Sequence, residues 1–190
     1  MEYITRLLEQ KIRRALHRNR SILLFGARQT GKTTLISRFH ADLVITFVRP
    51  EIRQRYEKLP QLLAGEVEAL APTAEHKRPL VVVDEVQKVP TVLDVVQDLI
   101  DRGRANFVLT GSSARKLRRG AVVNLLPGRV ATFRLDPFSL REVPAQDVHE
   151  RLLYGSLPGM LAVPDRSDRE TDLESYVTTY LEEEVRAEAI

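Results

Sequence analysis

Ser21-Ile22-Leu23-Leu24-Phe25-Gly26-Ala27-Arg28-Gln29-Thr30-Gly31-Lys32-Thr33-Thr34 runs from an apolar stretch through two glycines into a lysine and two threonines. Residues 26–33 fit G-x-x-x-x-G-K-[ST], the phosphate-binding loop, with a strand pattern before it and a helix pattern after it. The chemistry explains the residue types. Glycine at both ends lets the backbone curl so that successive N–H groups face phosphate oxygens, and the start of the next helix adds partial positive charge. Gly26, Ala27, Arg28, Gln29, Thr30, Gly31, Lys32, Thr33 and Thr34 are the candidate phosphate-binding set. Within it, Lys32 reaches the β- and γ-phosphates and the Thr33 hydroxyl ligates Mg²⁺. The bland alternative is a Gly-rich turn ahead of an ordinary helix.

Pro79-Leu80-Val81-Val82-Val83-Asp84-Glu85 is a continuous apolar run ending in two acids, the pattern of a fully buried parallel strand. Acids leaving such a strand lie on the sheet edge where open α/β folds bind ligands. Asp84 there holds Mg²⁺ through water, and Glu85 orients or deprotonates an attacking water. The alternative for Glu85 is a cap on the following helix, a role that Pro90-Thr91 fills better.

Four ordered motifs carry a resemblance: Gly26 to Thr33, Asp84-Glu85-Val86-Gln87-Lys88-Val89-Pro90, Leu109-Thr110-Gly111-Ser112-Ser113 and Leu126-Pro127-Gly128-Arg129. Together they resemble a prokaryotic family of AAA+-like P-loop ATPases, whose members usually continue into a C-terminal domain of unknown function. The resemblance covers nearly the whole chain. It implies ATP and Mg²⁺ as ligands, ATP hydrolysis as the activity, and an α/β fold: a three-layer α/β/α sandwich on a parallel sheet of strand order 5-1-4-3-2. By analogy a polar residue leaving the fourth strand faces the γ-phosphate. Ser112 is favoured for this role, with Thr110 close behind; the plainer reading makes Thr110 a strand end and Ser112 or Ser113 a helix cap. Tyr154-Gly155-Ser156-Leu157-Pro158-Gly159-Met160 resembles the Gly-x-Pro turn with which related signalling ATPases pack a helical lid over the adenine, so Pro158 is a candidate cofactor contact. A simple interhelical turn is the alternative. Arg129, at a turn into the fifth strand, fits an arginine finger for a neighbouring subunit, a sensor in its own site, or a plain salt bridge.

Composition sets outer bounds. A length of 190 residues suits one α/β domain with a sizeable core plus a small helical appendage. We divide it into a P-loop core with its N-terminal helix over 1–135 and a helical lid, or the start of a C-terminal region, over 136–190. The long helix pattern over 173–186 has no stop signal, so a truncated chain is expected, with a natural core-only form as the alternative. No apolar stretch approaches the ~20 residues of a membrane span. With no cysteine, disulfides and thiolate metal sites are excluded and a cytoplasmic location is expected. The four histidines, at 17, 40, 76 and 149, share no ligand spacing.

Charge is uneven. Residues 1–60 hold 13 Lys/Arg against 5 Asp/Glu, whereas residues 136–190 hold 5 against 13. Arg13, Arg14, Arg18 and Arg20 form one basic cluster, and Arg115, Lys116, Arg118 and Arg119 a second. Such patches hold DNA by neutralising phosphates, but neither contains an aromatic for base stacking, and solvated faces or subunit contacts in a homo-oligomer account for them as well. Two functions follow from the sequence: an ATPase whose turnover acts on an attached or bound partner, or a nucleotide-controlled DNA-binding or signalling module in which hydrolysis is secondary. Coarse periodicity predicts helices near 4–16, 32–40, 51–70 (broken at Pro60) and 92–100, and strands at 21–25, 43–48, 80–84, 106–110 and 129–135.

Overall fold

Leu80–Asp84 is buried along its whole length, which requires a sheet covered on both faces. The computed structural model describes residues 3–70, 78–112, 126–144 and 147–180. In chain order the elements begin α1 (Leu7–His17), β1 (Ser21–Phe25), α2 (Lys32–Ile36) with a 3-10 turn Ser37–Phe39, β2 (Leu43–Thr46), α3 (Pro50–Lys58) and α4 (Leu62–Glu68). They continue with β3 (Leu80–Asp84), a 3-10 turn Val86–Lys88, α5 (Val92–Asp101), β4 (Asn106–Gly111), β5 (Val130–Arg134), α6 (Val148–Tyr154), α7 (Pro158–Ala162) and α8 (Arg166–Tyr180).

The strands lie in the order β2-β3-β4-β1-β5, all parallel. Read from the β5 edge, this is the expected 5-1-4-3-2. Side-chain alternation along the inner strands builds the two flanking layers. Leu23, Val81, Val83, Phe107 and Leu109 point to one side, where α3, α4 and α5 bring Tyr56, Leu63, Val67, Val92, Val96 and Leu99. Ile22, Leu24, Leu80, Val82 and Val108 point to the other, against Ile12 and Ala15 of α1 and Leu35 and Ile36 of α2. Each buried Val, Leu or Ile contributes roughly 1.5–3 kcal/mol, so two-sided burial of the central strands fixes the sheet.

Local competition moves several boundaries from their predicted places. The helix expected over 32–40 is α-helical for five residues only; Ser37 Oγ donates to the Thr34 carbonyl at 2.9 Å, and His40 ends the turn at φ 44°. The second strand stops at Thr46, whose hydroxyl accepts the Val48 N–H at 3.4 Å and draws the chain out of the ladder. The last helix starts at Arg166 rather than 173, because the Asp165 side chain accepts the Asp168 N–H at 3.1 Å. The apolar residues of the C-terminal region divide: Leu157 and Met160 are buried, whereas Leu152, Leu153 and Val177 are exposed and α8 buries none of its residues. Leu181 and Val185 lie outside the described residues.

One buried ion pair joins three separate stretches of chain. Arg6, just before α1, gives Nη1 to the Thr30 carbonyl at 2.8 Å, Nη2 to the Asp136 carbonyl at 2.6 Å and Nε to Glu142 at 3.0 Å. Its guanidinium lies 4.4 Å from the Phe138 ring centroid. Glu142 also accepts the N–H groups of Leu7 and Ser139 and the Ser139 hydroxyl, and both partners' side chains are about 5% exposed. Burial alone raises the Glu142 carboxyl pKa, but the Ser139 and Leu7 N–H donors and Arg6 outweigh it and hold the group below its usual value. The native state therefore favours the ionised form. Its contribution is fully present above the unfolded carboxyl pKa of about 4.3 and is lost as pH falls through the depressed native value. Glu142→Gln should flatten the acid limb of the stability–pH curve below about pH 5. It should also lower neutral-pH stability by about 3 kcal/mol, by leaving Arg6 buried without its counter-charge; urea melts across the pH range test both.

Candidate nucleotide site

The loop after β1 is held open from beneath. A Cβ on Gly26 would stand 2.5 Å from the Leu135 carbonyl, so only glycine lets the exit of β5 pass here. Gln29 and Gly31 take positive φ, 62° and 89°, and curl the chain back into α2. The Thr30 hydroxyl donates to the Ala27 carbonyl at 2.9 Å. Lys32 is buried, its ammonium donating to the carbonyls of Gly26 at 2.7 Å and Ala27 at 2.9 Å, while Arg28, Gln29, Thr33 and Thr34 are exposed along the rim. A buried ammonium on backbone carbonyls is a charge ready to exchange those partners for phosphate oxygens.

The acid pair leaves β3 two strands away. Asp84 is buried, with Oδ1 accepting the Thr110 hydroxyl at 2.5 Å and Oδ2 accepting the Thr46 hydroxyl at 3.2 Å. Thr110 is fully buried, and its oxygen in turn accepts the Glu85 N–H at 3.1 Å. Thr110 is thus a strand-end anchor between β3 and β4, and Ser112 is the polar residue at the open edge. Glu85 itself takes φ 58°, an uncommon left-handed turn for a non-glycine, before the 3-10 turn. Its carboxylate accepts the Gln87 amide, which also donates to Ser112 Oγ at 3.4 Å. Register places these groups side by side: Phe25 pairs with Gly111 and Val83 with Leu109, so Gly26, Ser112 and Asp84-Glu85 leave the same carboxyl edge.

Magnesium requires hard oxygen donors and keeps several positions for water and phosphate. The buried Asp84 carboxylate and the Thr33 hydroxyl meet that requirement. No cluster of three or more His, Cys, Asp or Glu occurs among the described residues.

Arg129 is a correction to the reading that put it in its own chain's site. It precedes Val130, which pairs with Ser21 at the start of β1, so it sits at the amino edge of the sheet. That is about five strand residues, roughly 17 Å, from the phosphate loop. There it makes a two-point pair with Asp101, Nε to Oδ1 at 2.7 Å and Nη2 to Oδ2 at 2.9 Å, and holds the Asp101 carboxyl below its usual pKa. A sensor in its own site is excluded by this distance. Arg14, Arg18 and Arg20 are exposed at the same amino edge, while Arg13 pairs with Glu9. The second basic cluster, Ser113 and His76 lie outside the described residues.

The segments flanking the core meet over the loop. Pro158, at the start of α7, comes within 3.7 Å of a Cβ built on Gly31, and a Cβ built on Gly159 would stand 3.6 Å from Gln29 Oε1. Tyr176 of α8 donates to the Arg28 carbonyl at 3.3 Å. A cavity of about 270 Å³ opens between Tyr3, Ile4, Gly31, Thr34, Phe138 and Pro158. The sequence reading missed Tyr3, Ile4, Arg6, Phe138 and Gln87, because no local pattern links residues 3–6 with residues 136–142. Gln87 falls within the Asp84–Pro90 motif, in which the sequence reading assigned it no role.

A family model described as an AAA domain matches residues 18–144, a span that takes in all five strands. Two uncharacterized mycobacterial proteins, from Mycobacterium bovis and Mycobacterium tuberculosis, are each 30% identical over 180 residues, or 92% of this chain. The chain spans 38% of the length of these curated relatives. Among solved structures, Drosophila ORC bound to DNA aligns at TM-score 0.46 and 12% identity, over 72% of this chain and 93% of that one. The Aeropyrum pernix ORC2 protein, in ADPNP–ADP complexes, aligns at TM-score 0.45 and 16% identity, over 76% and 52%. No helix among the described residues is long and apolar enough to cross a membrane. With a family model matching residues 18–144, two thirds of its length, this chain belongs to the AAA domain family of AAA+-like P-loop ATPases.

Proposed function

We propose that this domain binds ATP with Mg²⁺ and hydrolyses it, and that nucleotide state is transmitted to an attached domain or bound partner. The supporting observation is the convergence of Lys32, Asp84, Glu85 and Ser112 on one sheet edge through the register of β1, β4 and β3. Lys32 and the loop N–H groups hold the β- and γ-phosphates, Ser112 faces the γ-phosphate, and Thr33 and Asp84 hold the metal. The metal supplies charge neutralisation on the phosphates. Glu85 takes a proton from water as the water oxygen bonds to the γ-phosphorus. The bond from that phosphorus to the bridging oxygen breaks, its electron pair stays with ADP, and inorganic phosphate leaves. The cavity beside Pro158, lined by Tyr3, Ile4 and Phe138, supports a place for the adenine, with α6 to α8 as a lid above it.

Lys32 contacts phosphate in ground and transition states alike, whereas Glu85 acts only on the attacking water. Lys32→Ala should weaken ATP binding by roughly two orders of magnitude, the effect of losing charge-assisted bonds of about 1.5–3 kcal/mol. Glu85→Gln should keep binding and lose roughly 10²–10⁴ in turnover. Calorimetry paired with a phosphate-release assay separates the two, and equal loss of binding in both variants would remove Glu85 from the chemistry.

Arg129, partly exposed at the amino edge of the sheet, fits one catalytic role, completion of a neighbouring subunit's site after release from Asp101. Specific activity should then rise with protein concentration, and mixing Arg129→Ala with Lys32→Ala protein should restore part of the turnover. Activity flat on dilution with no rescue would assign Arg129 to the salt bridge alone. For the lid, ATP with Mg²⁺ should slow limited proteolysis within residues 154–175; cleavage at one rate with and without nucleotide would rule out closure over the base.

A further inference from the structure

Gln87 belongs to neither the phosphate-loop pattern nor the acid pair, yet it sits in the middle of the site. Its amide nitrogen donates to Glu85 Oε2 and to Ser112 Oγ, while its own Oε1 is buried with no hydrogen-bond partner among the described residues. Turning the amide over would face Oε1 against the Glu85 carboxylate, two acceptors together, so the network fixes the orientation. A buried acceptor without a donor destabilises the fold. Gln87 is therefore explained by what its N–H group holds and not by the stability it adds.

The sheet gives this grip a direction. β4 stands between β3 and β1, so the backbone of Glu85 starts two strand spacings, roughly 10 Å, from the phosphate loop. Ser112 directly follows the strand between them, one residue past the Gly111 that pairs with Phe25. A tether from Glu85 to Ser112 draws the carboxylate off its own strand toward the loop.

We propose that Gln87 is the positioning residue for Glu85, its amide tying the base carboxylate to Ser112 at the end of β4 and so setting where Glu85 meets the attacking water. This rests on hydrolysis with Glu85 as base. Gln87 carries no proton itself; it fixes the approach of the group that does, and misplacing such a group by about 1 Å costs on the order of 10²-fold.

The test uses the full chain with Gln87→Leu, which keeps most of the volume and removes the donor, and Gln87→Met, which keeps the length. Both should lower kcat by roughly 10- to 100-fold. Both should leave KM and the Kd for a non-hydrolysable ATP analogue within about twofold of wild type, because ground-state binding is untouched. The Tm should hold or rise, since the orphaned acceptor is gone. In a Glu85→Gln background, single-turnover rates should show no further loss on adding Gln87→Leu, because residues that act as one unit are not additive. Wild-type kcat in both Gln87 variants beside an inactive Glu85→Gln overturns the positioning role alone. So does a lowered Tm with unchanged kcat, or a loss that multiplies with that of Glu85→Gln. Full turnover in Glu85→Gln is a different result, which overturns the assignment of Glu85 itself.

Discussion

The parallel register of β1, β4 and β3 is the constraint on which the site depends. Their side chains are buried on both faces, so the two apolar layers oppose any slip, which would exchange the residues facing each layer. With register fixed, Gly26, Ser112 and Asp84-Glu85 reach the same edge without any need for contact between their loops. Thr110 completes the alignment at that edge by taking the Glu85 N–H and giving its own proton to Asp84. A fully buried hydroxyl with both capacities used ties the end of β4 to the end of β3, where the ladder stops and the chemistry begins.

A second constraint connects this edge to the rest of the chain. Arg6 holds the loop carbonyl of Thr30 with one hand of its guanidinium and the chain leaving β5 with the other, and Glu142 fixes the group in place. Loop shape, N-terminal segment and the start of the C-terminal helices therefore share one buried cation. The Tyr176 hydroxyl on the Arg28 carbonyl adds a second attachment between those helices and the loop, and Pro158 lines one cavity with Gly31.

Much of the fold was legible in the sequence because its signals are local. Continuous apolar runs such as Leu80–Val83 need two covered faces, and Gly26 and Gly31 mark a backbone that only glycine allows. Boundaries were less legible where a single hydroxyl or carboxylate decides them, as Ser37, Thr46 and Asp165 do here. Arg129 is instructive. Its turn and its residue type fitted a phosphate contact, but parallel pairing puts the start of β5 at the edge away from the loop, and Asp101 at the end of α5 is what it meets.

By itself the sequence determined the phosphate-loop pattern, the acid pair and the alternation of strands and helices, since each depends on neighbours within a few positions. The tertiary structure alone decided which of those residues meet. It turned Thr110 inward as an anchor, left Ser112 at the open edge, gave Glu85 to Gln87, and closed a cavity from Tyr3, Phe138 and Pro158. These pairings join segments up to about 150 residues apart, whose proximity is set by strand order and two-sided packing and by no pattern within either segment.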